Sequence, residues 1–243
     1  MRTCIIVNPN AGSVEETGAL QERLASLPDA SVALTQAEGD AERIARDAVR
    51  SGVDLVVAAG GDGTLNEVVN GLAEDFSRAR LGLLPLGTGN DFARTINVPA
   101  DLDASLAILQ EGRARATDVG RATFGGKCRY FINMAVGGFS PIVSERAGEA
   151  KERWGPLAYL RGAIGALPEL SGFKSTLCFA DGERMEIETY NIVLSNGRYV
   201  AAGIPVAPGS ILDDGLLDAL IAPVTTIPQL AVLVPQVLLG RHM

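Results

Sequence analysis

The chain has 243 residues, 47% of them hydrophobic and 21% charged, and a formal net charge of −8. That length holds one large domain or two small ones, each with room for a core. The acidic balance excludes a general nucleic-acid binder, because nothing would neutralise phosphates along a duplex, and it weakens purely electrostatic docking on an anionic membrane.

The first half alternates apolar runs with helical spacing. The stretch 3-TCIIVNP-9 predicts a strand ending in turn residues, and 17-TGALQERLASL-27 a helix with Leu20, Leu24 and Leu27 on one face. A second strand is expected at 31-SVALTQ-36. A second helix follows at 40-DAERIARDAVRSG-52, with Asp40 as its cap, Ile44, Ala45, Ala48 and Val49 inward, and Gly52 as its stop. The unbroken apolar run 53-VDLVVAAGG-61 suits a strand buried on both faces of a parallel sheet, and 64-TLNEVVNGLAE-74 reads as the next helix. Then come a strand, a glycine-rich turn and a helix start in 81-LGLLPLGTGNDFA-93, and a helix at 103-DASLAILQEG-112. Strands and helices in this order mean βαβ units, whose ligands sit beyond the carboxyl ends of the strands.

From about residue 114 the pattern alternates like an antiparallel sheet, at 115-RATDVGRATF-124, 128-CRYFINMAVGG-138, 175-STLCFADGERMEIETYNIVLSNG-197 and 213-DDGLLDALIA-222. A helical insert is expected at about 149–170. We therefore expect two domains, residues 1–115 and 116–243. The uncharged stretch 219-ALIAPVTTIPQLAVLVPQVLLG-240 is long enough to span a bilayer, but Pro223, Pro228 and Pro235 interrupt it. It reads as a buried strand and a short helix capped near Thr226.

Cys4, Cys128 and Cys178 form neither a disulfide framework nor a zinc spacing, which fits a cytoplasmic setting. His242 is the only histidine, so Ser-His and Cys-His chemistry is disfavoured. The N-terminus has no apolar core or cleavage site of a signal peptide.

Three glycine-rich turns follow apolar strands: 8-NPNAGS-13, 60-GGDGTLN-66 and 87-GTGND-91. Free backbone N–H groups and helix N-termini at such turns favour phosphate. The chain has no P-loop, and Gly61-Asp62-Gly63 begins a dinucleotide fingerprint whose third glycine place is Asn66. An acid among phosphate-binding amides makes sense when a cation lies between them, so Asp62 is a candidate Mg²⁺ residue. The competing reading makes Asp62, or Thr64, the cap of the following helix.

The segments 7-VNPNAGS-13, 59-AGGDGTLNEVVNGL-72, 82-GLLPLGTGNDFAR-94, 118-DVG-120, 131-FINMAVGGF-139, 195-SNG-197 and 213-DDGLLD-218 resemble the diacylglycerol kinase catalytic-domain family of lipid kinases. That family includes bacterial diacylglycerol kinases, YegS-like kinases and sphingosine kinases. GGDGT is shared with NAD kinases, whereas GTGNDFAR is similar to the lipid-kinase branch.

The resemblance implies an α/β N-terminal domain with a parallel, Rossmann-like sheet, followed by a mostly antiparallel β-sandwich domain. It implies an ATP site lined by Asn8, Thr35, Gly60, Gly61, Asp62, Gly63, Thr64, Asn66, Gly87 and Thr88. Asp62 would work with Mg²⁺, while Asp91 and Asp118 would complete the polar network near it. Asp214 would hold a second cation with the carbonyls of Ile211 and Leu216. The plainer reading of Asp214-Gly215 is a tight turn.

The implied reaction is ATP-dependent phosphorylation of a lipid hydroxyl such as that of diacylglycerol. The rivals are an NAD kinase-like phosphotransferase and a catalytically silent nucleotide-binding regulator. The lipid would lie near 131–145 and 154–167, where Trp154, Leu157, Tyr159 and Leu160 fit either lipid contact or core. The implied protein is peripheral at the membrane and compatible with a homodimer. Family members continue past the position of Met243 to an Asp-Gly-Glu whose glutamate is the expected general base, so the resemblance makes the C-terminal part look truncated. Asp181-Gly182-Glu183 is rejected as a substitute because a hairpin turn is expected there.

Overall fold

The computed structural model describes residues 1–12, 17–25, 27–138, 171–223 and Gln236. Four strands, β1 (Thr3–Val7), β2 (Ala30–Leu34), β3 (Leu55–Gly60) and β4 (Arg80–Pro85), form a parallel sheet in the order β2-β1-β3-β4. The helices between and after them are α1 (Thr17–Ala25), α2 (Asp40–Arg50), α3 (Asp62–Leu72), α4 (Asp91–Thr95) and α5 (Leu102–Glu111).

The period-two alternation of the strands divides the core into two layers. Cys4 and Ile6 of β1 and Val56 and Ala58 of β3 face one layer, with Ala45 and Val49 of α2, Leu65 and Val68 of α3, and Phe92 of α4. Ile5, Val7, Val57 and Ala59 face the other, with Leu24 of α1 and Leu106 of α5. Every residue of β3 is buried, as its unbroken apolar run predicts for a strand covered on both sides. On the first face α2 and α3 lie in close contact. A Cβ on Gly71 would sit 2.6 Å from the Ala45 Cβ and strike the Glu42 carbonyl.

The chain divides into two compact units, Met1–Ile132 with Leu212–Asp214, and Asn133–Ile211 with Gly215–Met243. The hairpin of β5 (Gly120–Phe124) and β6 (Lys127–Phe131), placed by the sequence after a boundary near residue 115, belongs to the first unit. Asn70 of α3 clamps this hairpin. Its Nδ2 donates to the Tyr130 carbonyl at 2.8 Å, and its Oδ1 accepts from the Tyr130 N–H at 2.9 Å. The amide thus stands where a neighbouring strand's backbone would.

The second unit holds β7 (Met134–Gly138), β8 (Phe173–Cys178), β9 (Arg184–Ser195), β10 (Tyr199–Val200), β11 (Ile204–Pro205) and β12 (Asp218–Pro223). All its strand pairs are antiparallel. β9 organises the sheet, pairing with β8 along its first half and β7 along its second, and with β12 on the opposite edge. The run 128–138, read from sequence as one strand, is two. The chain breaks after Phe131, and the Asn133 carbonyl accepts from the N–H groups of Asn196 and Gly197, both at 2.8 Å.

The sequence expectations at 139–170 and around Thr226 lie outside the described residues. Among the described residues no helix is long and apolar enough to cross a membrane.

Candidate functional site

Three turns meet at the carboxyl end of the parallel sheet. After β1, the Asn8 N–H donates to the Ala59 carbonyl at 3.0 Å, and after β4 the Leu86 N–H donates to the Gly60 carbonyl at 3.0 Å. These bonds carry the ladder one step past the strands and bring the turns side by side.

Asn8 folds back on its own turn, its Oδ1 accepting from the Asn10 N–H at 2.9 Å, while its Nδ2 donates to Thr64 Oγ1 at 3.3 Å. The Thr35 N–H donates to the Val7 carbonyl at 2.9 Å, which sets Thr35 beside the start of the same turn. A Cβ on Gly12 would sit 2.6 Å from Thr88 Oγ1, so the first and third turns touch. The second and third touch through backbone alone. A Cβ on Gly87 would strike the Gly61 Cα and approach Asn90 Oδ1 at 2.9 Å. Only glycine permits that approach.

The GGDGT segment is less of a loop than its composition suggests. α3 begins at Asp62, with Gly61 in the cap position and no side-chain cap. Gly63, Thr64 and Asn66 are therefore helical residues. Gly63 and Asn66 are exposed and Thr64 is buried. Neither Asp62 nor Thr64 caps this helix, which corrects the capping reading.

The Asp62 carboxylate reaches across to α4 instead. Its two oxygens accept from the N–H groups of Asp91 and Phe92, each at 3.1 Å. Asp62 thus caps a helix from a different βα unit, where α4 has no side-chain cap of its own. An ionised carboxylate at a helix N-terminus is favoured by the unpaired N–H groups and the dipole.

Asn90, ahead of α4, holds the turn from within. It stands at φ 53°, accepts from the Gly87 N–H at 3.0 Å and donates to the carbonyls of Gly87 at 2.6 Å and Pro85 at 3.3 Å. Sequence reading quoted Asn90 within GTGND but assigned it no role. Its tolerance of the left-handed region in a glycine-rich turn was the available signal. Asp91 itself is 6% exposed.

A second borrowed cap lies on α2. The expected cap, Asp40, is the first helical residue, and Gly39 at φ 85° takes the cap position. The Asp40 carboxylate turns back to accept from the N–H groups of Gln36 at 2.8 Å and Ala37 at 3.1 Å. The Ala41 N–H donates instead to Glu67 of α3 at 3.0 Å. Asp62, Glu67 and Asn70 of α3 therefore bond to the backbones of α4, α2 and β6 in turn.

Asp118 is partly buried ahead of β5, and its N–H donates to the Leu212 carbonyl at 2.5 Å. Ile211, Asp214 and Leu216 lie in the turn before β12. Asp214 is exposed and Gly215 stands at φ 75°, as the tight-turn reading requires. Asp181-Gly182-Glu183 is the hairpin tip between β8 and β9. The Phe179 N–H donates to the Glu183 carbonyl at 2.9 Å, and Gly182 has φ 90°.

The carboxylate oxygens of Asp62 suit a hard cation such as Mg²⁺. The two N–H bonds leave part of the Asp62 carboxylate's acceptor capacity free. Among the described residues no three acidic, cysteine or histidine side chains gather as a metal group. A cation here would share its shell with phosphate oxygens.

Comparison with known proteins identifies the family. The diacylglycerol kinase catalytic domain family matches residues 2–122, and the YegS C-terminal NAD kinase beta sandwich-like domain matches residues 133–243. Diacylglycerol kinases of Staphylococcus aureus strains MRSA252 and bovine RF122 / ET3-1 are each 34% identical over 246 residues, covering 99% of this chain and 76% of the relative. A solved diacylglycerol kinase structure from Bacillus anthracis str. Sterne superimposes with a TM-score of 0.75 at 28% identity, covering 99% of this chain and 78% of that one. The chain belongs to the diacylglycerol kinase catalytic-domain family, and its two folds, a parallel α/β sheet and an antiparallel sheet, are those of that family.

Proposed function

We propose that this protein is a lipid kinase that moves the γ-phosphoryl group of ATP to the hydroxyl of diacylglycerol or a related lipid. The observation that carries the reading is the convergence of three glycine-rich turns at one sheet edge, with Asp62 bonded across to the first amides of α4.

The lipid hydroxyl oxygen forms a bond to the γ-phosphorus while the bond to the ADP leaving oxygen breaks, and the hydroxyl proton passes to a base. Little covalent work falls to the protein, so positioning and charge carry the rate. Asn8, Thr35, the Gly60–Asn66 segment, Gly87 and Thr88 hold and orient the nucleotide. Asp62 would hold Mg²⁺, which when bound supplies neutralisation of phosphate charge, and Asp91 and Asp118 would complete the polar network near it. The turn of Ile211, Asp214 and Leu216 as a second cation site belongs to the same proposal, as does transient contact with a membrane surface.

The test is transfer of labelled phosphate from Mg·ATP to diacylglycerol in mixed micelles, with NAD as a parallel acceptor. Label in the lipid supports the reading. Label in NAD identifies the phosphotransferase alternative. ATP binding without transfer to either acceptor overturns the lipid-kinase reading in favour of a silent nucleotide-binding protein.

A further inference from the structure

The connection from β2 to α2, residues 35–41, departs from a local rule. Asp40 stands where an acid would cap α2, yet its carboxylate accepts from the N–H groups of Gln36 at 2.8 Å and Ala37 at 3.1 Å. Arg43 Nη2 donates to its other oxygen at 2.9 Å. The acid therefore stiffens the loop instead of starting the helix. Ala41 is 1% exposed, so water does not serve its N–H, and the Glu67 carboxylate of α3 takes that bond at 3.0 Å. Departures of this kind, where a local choice gives way to a tertiary one, are where function is sought.

Gln36, Ala37, Glu38 and Gly39 are exposed, and an exposed loop wanders unless it is anchored. One anchor is the Thr35 N–H, which donates to the Val7 carbonyl at 2.9 Å, and the other is the bond from Ala41 to Glu67. Glu67 lies one helical turn beyond Thr64, on the same side of α3. Thr64 Oγ1 accepts from Asn8 Nδ2 at 3.3 Å, and Asn8 follows Val7 in the chain. The bonds thus close a ring, from Thr35 to Val7, from Asn8 to Thr64, and from Glu67 to Ala41. The packing of α2 on α3 rests separately on Gly71, where a side chain would strike the Glu42 carbonyl.

We propose that Glu67 is a positioning residue for the nucleotide. Its carboxylate fixes residues 35–41, and with them Thr35, in place relative to Asn8 and Asp62. It acts through the loop, not on the nucleotide. Without that oxygen one end of the loop comes free while the two helices stay packed. The inference rests on the reading of an ATP site at the three turns, and adds to it a residue outside them.

Calorimetric titration of the whole 243-residue protein with Mg·ATP tests this, at a temperature where every variant is folded. Glu67→Ala should weaken ATP binding by about tenfold, which corresponds to one lost bond to a buried donor. Glu67→Gln keeps an acceptor oxygen at the same reach and should stay within about threefold of the wild type. Glu67→Asp keeps the charge but falls one methylene short. It should behave like Glu67→Ala, and it carries the test where Glu67→Ala does not fold. Leu72→Ala removes a buried side chain from the same helix, and should lower the melting temperature at least as far with ATP affinity unchanged. Thr35→Ala should weaken ATP binding on its own, and Glu67→Ala added to it should cost little more, because both act through one loop.

ATP affinity that is unchanged in Glu67→Ala and Glu67→Asp, weakened equally in Leu72→Ala, or additive between Thr35→Ala and Glu67→Ala overturns the positioning role and leaves the nucleotide site standing. A wild type that binds no Mg·ATP overturns the nucleotide site, and this inference with it.

Discussion

Two acid-glycine stretches of this protein do different things. Gly61-Asp62-Gly63 and Asp181-Gly182-Glu183 each set an acid beside glycine directly after a strand. At the first, the acid bonds to amides 29 and 30 residues away and ties two βα units together. At the second, the Asp181 carboxylate accepts from the N–H of Glu183, two residues on, and the tip is exposed. The chemistry of an acid-glycine turn is therefore decided by what the fold brings opposite it, not by the turn's own composition.

Asp62→Asn should break this contrast most severely. One oxygen becomes an NH₂ group facing a backbone N–H, which strands a helix amide. Stability should fall by about 1–3 kcal/mol in urea unfolding. Phosphate transfer should fall on the order of a hundredfold or more, read as initial rates with Mg·ATP. Unchanged rates would show that the junction between the turns does not serve the reaction.

Gly87→Ala attacks the same junction by sterics alone, since the new methyl meets the Gly61 backbone, which has nowhere to move. The melting temperature should drop by an amount corresponding to about 1–3 kcal/mol. ATP affinity, measured by calorimetry on the folded variant, should weaken with it.

Glu183→Gln sharpens the contrast from the other side. Its transfer rate should stay within about twofold of wild type and its stability within about 0.5 kcal/mol, because the hairpin tip is an ordinary surface position. A large loss of rate would return Glu183 to the list of general-base candidates.

The smallest effect is a pH effect. Arg50 bonds to Glu74 and holds its carboxyl below the usual carboxylate range. A carboxyl depressed in the folded state stabilises above its unfolded value, 4.5, and that contribution fades as the pH falls through the folded value. Acid unfolding of Glu74→Gln should therefore lack a slight loss of stability that the wild type shows below about pH 4.5. Above that pH the wild type should be marginally the more stable.

Much of the α/β unit was legible in the sequence, because its strands are covered on both faces and read as unbroken apolar runs. β3, β4 and the body of α5 emerged directly, although the sequence reading named neither Asp101, which accepts from the Ala104 N–H at 2.9 Å, nor Gly112 at φ 68° as the ends of that helix. The start of α3 was misplaced by two residues, because Asp-Gly is weak helix-forming sequence and here opens a helix only where tertiary contacts hold it. The caps of α2 and α4 were illegible for a related reason. Their acceptors, Glu67 and Asp62, lie 26 and 29 residues from the amides they serve. No local pattern encodes that pairing. The break between β6 and β7 was hidden because Ile132, buried at 2% exposure, keeps the run apolar across it. The overall charge, taken to weaken purely electrostatic membrane docking, averages over a basic segment at 113–131.

The three side chains that α3 extends to other backbones have a consequence for motion. The amides of Ala41, Asp91, Phe92 and Tyr130 all end on one helix, although they start in three different elements. In deuterated water they should exchange as a single set, on one timescale, because releasing any of them requires α3 to shift. The helix following the glycine turn then acts as the protein's shared hinge pin, and a ligand that steadies its first turn should slow exchange at Tyr130, at the far end of the same unit.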